Sequence, residues 1–127
     1  DWEVCDALGL ENVEFIHSRA EDGSRTELRE SFDFAVSRAV ASLNVLCEYD
    51  MPYVKVGGSF VAMKGKDSTE ELERARNAIR ILGGKIKDHR EFSLSDAGER
   101  AIIVIEKLSP TPEKYPRKSK QIKTKPL

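Results

Sequence analysis

The 127-residue sequence lacks several features that would assign it to a familiar class of protein. It has two cysteines, Cys5 and Cys47, without the spacing of a metal site or a disulfide framework, which favours a reducing cytoplasm. No run approaches the roughly 20 apolar residues of a membrane-spanning helix, and no signal-peptide pattern is present. A Gly-rich phosphate loop and a Ser-His-Asp set are also absent. The sequence therefore gives no support to a metal module, a membrane span or a serine hydrolase.

The composition is that of one soluble globular domain, with 39% hydrophobic and 34% charged residues. The net charge of −1 is unevenly distributed. Residues 109–127 carry six basic residues against one acidic residue, a net of +5, which leaves −6 on residues 1–108. We therefore divide the chain into an acidic body (1–108) and a basic, proline-containing tail (109–127). The tail is either a contact for a polyanion or a solvated, disordered terminus.

Apolar runs alternate with helical patterns along the chain. Ser42 is expected to cap a helix that runs to about Val54, with Pro52 kinking or ending it, and 55–58 is expected to be a turn. Ser68 and Glu71 have the spacing of a capping box ahead of an apolar stripe that Gly83-Gly84 ends. Helical spacing also occurs in residues 1–8, and strands are predicted at 13–18, 32–38, 59–64, 85–94 and 100–108.

These elements predict an α/β fold with a mostly parallel sheet, because the strands are nearly continuous apolar runs that alternate with helices. The loop between the last two strands is too short for a crossover, so those strands are expected to form an antiparallel hairpin.

Basic residues recur where the predicted strands end. Arg38 ends one strand, Lys64 and Lys66 follow the next, Arg19 follows the first, and Arg100 begins the last strand, which runs in the opposite direction. Ligands of open α/β sheets bind beyond the carboxyl ends of the parallel strands. The sequence therefore predicts a basic ligand site at this edge. The alternative for each residue is an ordinary charged position where the chain reaches the surface.

Several stretches together resemble the bacterial GidB/RsmG family: "VEFIHSRAED", "FDFAVSRAVASLNVL", "PYVKVGGSFVAMKGK", "ERAIIVIEK" and "TPEKYPRK". The resemblance implies a Rossmann-like S-adenosylmethionine-dependent methyltransferase fold that ends in an antiparallel hairpin. It also implies methyl transfer to guanine N7 in small-subunit (16S) ribosomal RNA. By motif, the cofactor contacts would be Ala20, Glu21 and Arg38. The expected RNA contacts are Arg19, Lys64, Lys66, Arg100, Lys114, Arg117 and Lys118. For Lys64 and Arg100 the resemblance implies a position near either the RNA or the cofactor carboxylate.

The sequence departs from the family pattern in one respect, because the family's Gly-rich cofactor loop is absent. We therefore expect the C-terminal part of a longer protein, containing strands 3 to 7 of the family order 3-2-1-4-5-7-6. Alone, it is expected to bind cofactor poorly and to be unstable or oligomeric. The tail, fully extended, would span about 60 Å, which is long enough to return to the basic edge. Two other hypotheses stay open: a non-catalytic RNA- or ribosome-binding module, and a domain for another adenine nucleotide.

Overall fold

The computed structural model of the protein describes residues 29–38, 41–94 and 98–127, which form a mixed four-stranded sheet with helices packed against it. The predicted helix at 1–8 and strand at 13–18 lie outside these residues. Among the described residues, no helix has the length and apolar character needed to cross a membrane. The elements are β1 (Phe32–Arg38), α1 (Leu43–Asp50), a 3-10 turn (Met51–Tyr53), β2 (Val54–Lys64), α2 (Ser68–Ile81), β3 (Gly84–Leu94), β4 (Gly98–Lys107) and α3 (Ser119–Thr124).

The strand order is β1-β2-β4-β3, with β1 parallel to β2 and with β4 antiparallel to both of its neighbours. The predicted C-terminal hairpin is confirmed, and β1 and β2 are parallel as expected. Because β4 is antiparallel to both of its neighbours, the described part of the sheet is mixed rather than mostly parallel. This order is the 4-5-7-6 portion of the order that the family resemblance implies. In the register, Arg38 lies opposite Met63, and Lys64 lies opposite Ala101. The ends of β1 and β2 therefore meet the start of β4 at one edge, which we call the carboxyl edge.

The core lies between the sheet and the helices α1 and α2. Alternate residues of the central strands, such as Phe60 and Ala62 on β2 and Ile103 and Ile105 on β4, are fully buried. They form one apolar cluster with the inward faces of the helices, which supply Leu43, Leu46, Cys47, Leu72, Ala75, Ala78 and Ile79. The period of two along each strand and of three to four along each helix thus places both on a shared interior. Cys47 is a buried free thiol of this core, and burial raises its pKa.

The prediction of a turn at 55–58 is wrong, because these residues continue β2. Gly58 lies so close to β1 that a Cβ atom there would collide with the carbonyl oxygen of Asp33. The glycine permits close pairing of the two strands, next to a register shift between Phe32 and Phe34. The predicted end of α1 is also too late. The helix stops at Asp50, and Pro52 lies in the 3-10 turn that follows.

The predicted capping box of α2 is also wrong, although the helix begins where expected. Asp67 is the N-cap residue and makes no side-chain capping bond. Ser68 Oγ instead lies 2.9 Å from His89 Nε2 on β3, and Glu71 pairs with Lys64 at 2.7 Å. A buried ammonium is a stronger partner for a carboxylate than a backbone N–H at a helix end, so Glu71 takes the long-range partner.

The C-terminal segment, residues 109–127, packs on the end of the sheet opposite the carboxyl edge. Tyr115 and Ile122 are buried, and Thr111 Oγ1 donates to the Leu82 carbonyl at 2.6 Å. Lys107, the last residue of β4, donates to the carbonyl of Val54 at the start of β2. Because the 11 residues of β2 span roughly 30 Å, the segment folds far from the carboxyl edge. The expectation of an extended arm that returns to that edge is therefore wrong.

Candidate functional site

A cleft of about 440 Å³ opens at the carboxyl edge and is lined by Arg38, Met63, Lys64, Gly65 and Arg100. The strands position these residues. Arg38 ends β1 opposite Met63, and Arg100 precedes Ala101, which pairs with Lys64. The structure therefore brings together three of the basic residues that the sequence placed at this edge. Their roles in binding remain predictions. We call this space the first cleft.

Lys64 does not present its charge to the first cleft. Its side chain is 5% exposed, and its Nζ donates to the Ala41 carbonyl at 2.8 Å and pairs with Glu71 Oε1 at 2.7 Å. The same carboxylate oxygen accepts from the Leu43 backbone N–H at 3.2 Å. An ammonium engaged in this way inside the protein does not suit the expected RNA contact. Lys64 instead fixes the start of α1, a few residues after Arg38.

A second cleft, of about 510 Å³, lies beside the first, and Gly65 and Arg100 line both. Its other walls come from the start of α2 and from the ends of β3 and β4 nearest the carboxyl edge. Lys66 lies here on an exposed position, as the sequence predicted for this edge. Its lining residues include Lys66, Thr69, Glu91, Phe92, Glu99 and Arg100.

A small polar network ties α2 to β3 at the second cleft. Ser68 Oγ lies 2.9 Å from His89 Nε2, and Thr69 Oγ1 donates to Glu91 Oε1 at 2.9 Å. His89 is thus a half-buried structural residue in this network. No group of His, Cys, Asp and Glu side chains that could hold a metal ion occurs in the described ranges 29–38, 41–94 and 98–127. The edge therefore offers cations, carboxylates and hydroxyl groups as its functional groups.

The basic residues of the C-terminal segment lie at the opposite end of the sheet. Arg117 Nη2 donates to Glu48 Oε1 at 2.8 Å and Arg117 Nε to Glu48 Oε2 at 3.0 Å, and Glu48 is fully buried. Hydrogen bonding to Glu48 raises the pKa of Arg117. A guanidinium that neutralises a buried carboxylate does not suit the expected RNA contact. Lys114 and Lys118 are exposed, so RNA binding by them stays a prediction.

Three of the predicted site residues, Arg19, Ala20 and Glu21, lie outside the described residues and remain predictions. Sequence reasoning missed Phe92, a residue that is 40% exposed and lines the second cleft. The available signal was an aromatic residue in the polar end of a predicted edge strand, "REFSL".

The family model described as "rRNA small subunit methyltransferase G" (GidB) matches residues 2–103 of this chain. A curated relative named ribosomal RNA small subunit methyltransferase G, from Clostridium perfringens, is 50% identical over 127 residues, with 98% of this chain and 53% of the relative covered. A protein of the same name from Brevibacillus brevis is 51% identical over 126 residues, with the same coverage of 98% and 53%. The chain spans about half the length of the curated relatives it matches.

Among solved structures, a rRNA methylase from Streptococcus thermophilus is similar, with a TM-score of 0.51 and 15% sequence identity. The similarity covers 85% of this chain and 65% of that one. At this identity the comparison supports the fold alone, and it agrees with the Rossmann-like arrangement of sheet and helices.

Proposed function

The chain belongs to the GidB family of rRNA small subunit methyltransferases, and from this membership we propose that it acts in transferring a methyl group from S-adenosylmethionine to N7 of a guanine in small-subunit (16S) ribosomal RNA. The structural observation that supports the proposal is the first cleft. Arg38 and Arg100 line it together at the carboxyl edge, where sheets of this kind bind their ligands.

The residues of the first cleft fit an anionic group. Guanidinium groups hold carboxylates and phosphates with paired hydrogen bonds, so Arg38 would hold the carboxylate of the cofactor or a phosphate of the RNA. A Cβ atom at Gly65 would meet only the Glu99 carbonyl oxygen, at 3.9 Å, and would otherwise occupy open space. Gly65 thus leaves room for a ligand to approach the backbone. Ala20 and Glu21 would contact the adenine side, as the family resemblance implies.

When bound, S-adenosylmethionine supplies an electrophilic methyl group. Guanine N7 carries an accessible lone pair and loses no proton in the transfer, so the protein has to orient the base and to complement the charge around it. The cleft residues agree with this requirement, because the described lining contains cations and no His or Cys. The deep groove of an A-form duplex hides N7, so the guanine has to be presented in unpaired or distorted RNA.

The proposal is tested with the full-length protein, small-subunit ribosomal RNA and methyl-labelled S-adenosylmethionine. We expect Arg38→Ala to lower kcat/KM by about 100-fold or more, as removal of one well-placed donor does in other active sites. The matched control is Arg90→Ala, since Arg90 is an exposed arginine of β3 paired with Asp88; it should change kcat/KM by less than about 2-fold. Label outside 7-methylguanosine, or full activity of Arg38→Ala, would contradict the proposal.

A second candidate is a non-catalytic RNA- or ribosome-binding module. The observation that favours it is the presence of exposed lysines, such as Lys114 and Lys118, at the end of the sheet away from the clefts. This candidate predicts RNA binding by the wild-type protein without transfer of label. Persistence of RNA binding in the Arg38→Ala variant, with transfer lost, would favour the enzyme instead.

A further inference from the structure

Resting on the proposed function, we propose that the second cleft binds an unpaired nucleotide next to the target guanine in the RNA. Its base would stack on Phe92, and its phosphate would lie against Arg100 and Lys66. The ligand class is therefore single-stranded RNA.

The first observation is the position of Phe92. A single exposed apolar side chain is ordinary on a protein surface and does not by itself indicate a binding site. Here Phe92 is 40% exposed and lines a cleft of about 510 Å³, within the size range of small-ligand sites. Sequence-tolerant binding of single-stranded RNA commonly uses aromatic rings as stacking platforms beside basic side chains.

The second observation is the pairing of Phe92 with Arg100. The two residues are directly opposite each other on the antiparallel strands β3 and β4. Residues in such positions project to the same face of the sheet with Cβ atoms about 4.5–5.5 Å apart. A stacking surface and a guanidinium are thus neighbours, which matches the proximity of a base and its own phosphate.

The third observation is the continuity of the two clefts. Gly65 and Arg100 line both, so a group bound in the second cleft lies next to a group bound in the first. If the first cleft holds an RNA phosphate beside the target guanine, the second receives an adjacent nucleotide. Arg100 would then bridge the two positions.

The charges of the second cleft limit how much RNA it would hold. Its lining carries two cations, Lys66 and Arg100, and four carboxylates: Asp67, Glu70, Glu91 and Glu99. This balance disfavours a run of phosphates and favours a single nucleotide. Glu91 and Glu99 precede Phe92 and Arg100 in their strands, so they project to the opposite face of the sheet, where Thr69 donates to Glu91.

The test uses the full-length protein and a small-subunit RNA substrate, with methyl transfer measured at varied RNA concentration. Stacking on an aromatic side chain corresponds to about a 5- to 150-fold change in affinity. We expect Phe92→Ala to raise the KM for RNA within this range without changing the Kd for S-adenosylmethionine, and Phe92→Tyr to restore it. Leu108→Ala removes another exposed apolar side chain, at the opposite end of β4, and should leave both constants within about 2-fold.

If Phe92→Ala does not fold, the same contact can be tested by changing the RNA substrate instead of the protein. Abasic substitution of the nucleotide before or after the target guanine should raise the KM of the wild-type protein at one of the two positions. If neither abasic RNA differs from the intact one, or if Phe92→Ala behaves like Leu108→Ala, the inference is wrong while methyl transfer remains. Loss of methyl transfer by the wild-type protein would instead overturn the proposed function.

Discussion

The ion pair between Glu48 and Arg117 gives the sharpest test of how the C-terminal segment is held. Glu48 is fully buried and accepts from the Arg117 backbone N–H at 2.8 Å in addition to the guanidinium. Arg117→Ala removes the guanidinium bonds and leaves one backbone donor for a buried carboxylate. Removing one partner of a buried ion pair lowers the free energy of unfolding by about 3–5 kcal/mol. Because the Arg117 side chain is 22% exposed, water can reach this site, and we expect the lower part of that range.

Urea unfolding followed by circular dichroism measures this effect. The matched control is Lys118→Ala, which removes the exposed neighbouring cation and should change the free energy of unfolding by less than about 0.5 kcal/mol. The double variant Glu48→Gln/Arg117→Met removes both charges and should recover most of the lost stability, because no buried charge is left unpaired. A cost for Arg117→Ala no larger than that for Lys118→Ala would refute the assignment of Arg117 as a structural cation.

Three further predictions concern stability. Burial raises the pKa of Asp50 to about 7, so the folded state favours the protonated carboxyl, and the free energy of unfolding should fall as pH rises from about 4 to 7. We expect a fall of about 1–2 kcal/mol, because Asp50 is partly exposed and solvent screens its charge. Urea titrations at several pH values should show that Asp50→Asn removes this fall. Gly83→Ala should lower the free energy of unfolding by more than about 1 kcal/mol and by more than Gly98→Ala does. Both glycines have positive φ, but of the two only Gly83 lies where a Cβ atom would collide with Ser109. Lys64→Met leaves the Glu71 carboxylate without its ion-pair partner, and it should lower the free energy of unfolding by about 3–5 kcal/mol in the same assay. Lys66→Met, at an exposed position, should leave the free energy of unfolding almost unchanged.

Local patterns were sufficient to predict most of the secondary structure. The strand at 32–38 is an apolar run, and β1 has those bounds. The apolar stripe that Gly83-Gly84 ends predicts α2, and Gly83, with φ of 91°, follows the helix as a left-handed residue. The short loop before β4 predicts the hairpin. Each of these features depends on residues that are close in sequence, so it can be predicted from one sequence alone.

The partners of the polar side chains could not be predicted in this way. Glu71 has a helix-capping position in the sequence, yet it pairs with Lys64 on another element. Glu48 and Arg117 are 69 positions apart, and neither has a local signal that names the other. Which carboxylate a buried cation meets is decided by tertiary packing, and a pattern of residue types contains no information about it.

Because the partners of charged side chains cannot be read from the sequence, the net charge of the C-terminal segment overestimates the number of its RNA contacts. At the far end of the sheet, Lys107 Nζ is buried and pairs with Glu30 Oε2 at 3.0 Å, while burial lowers the pKa of Lys107. Within the segment itself, Arg117 is committed to Glu48 and holds the segment to the body. Only exposed cations can displace the counterions of a nucleic acid. The contribution of a basic residue to RNA binding is therefore set by its exposure and its partner, and the net charge of a segment overstates it.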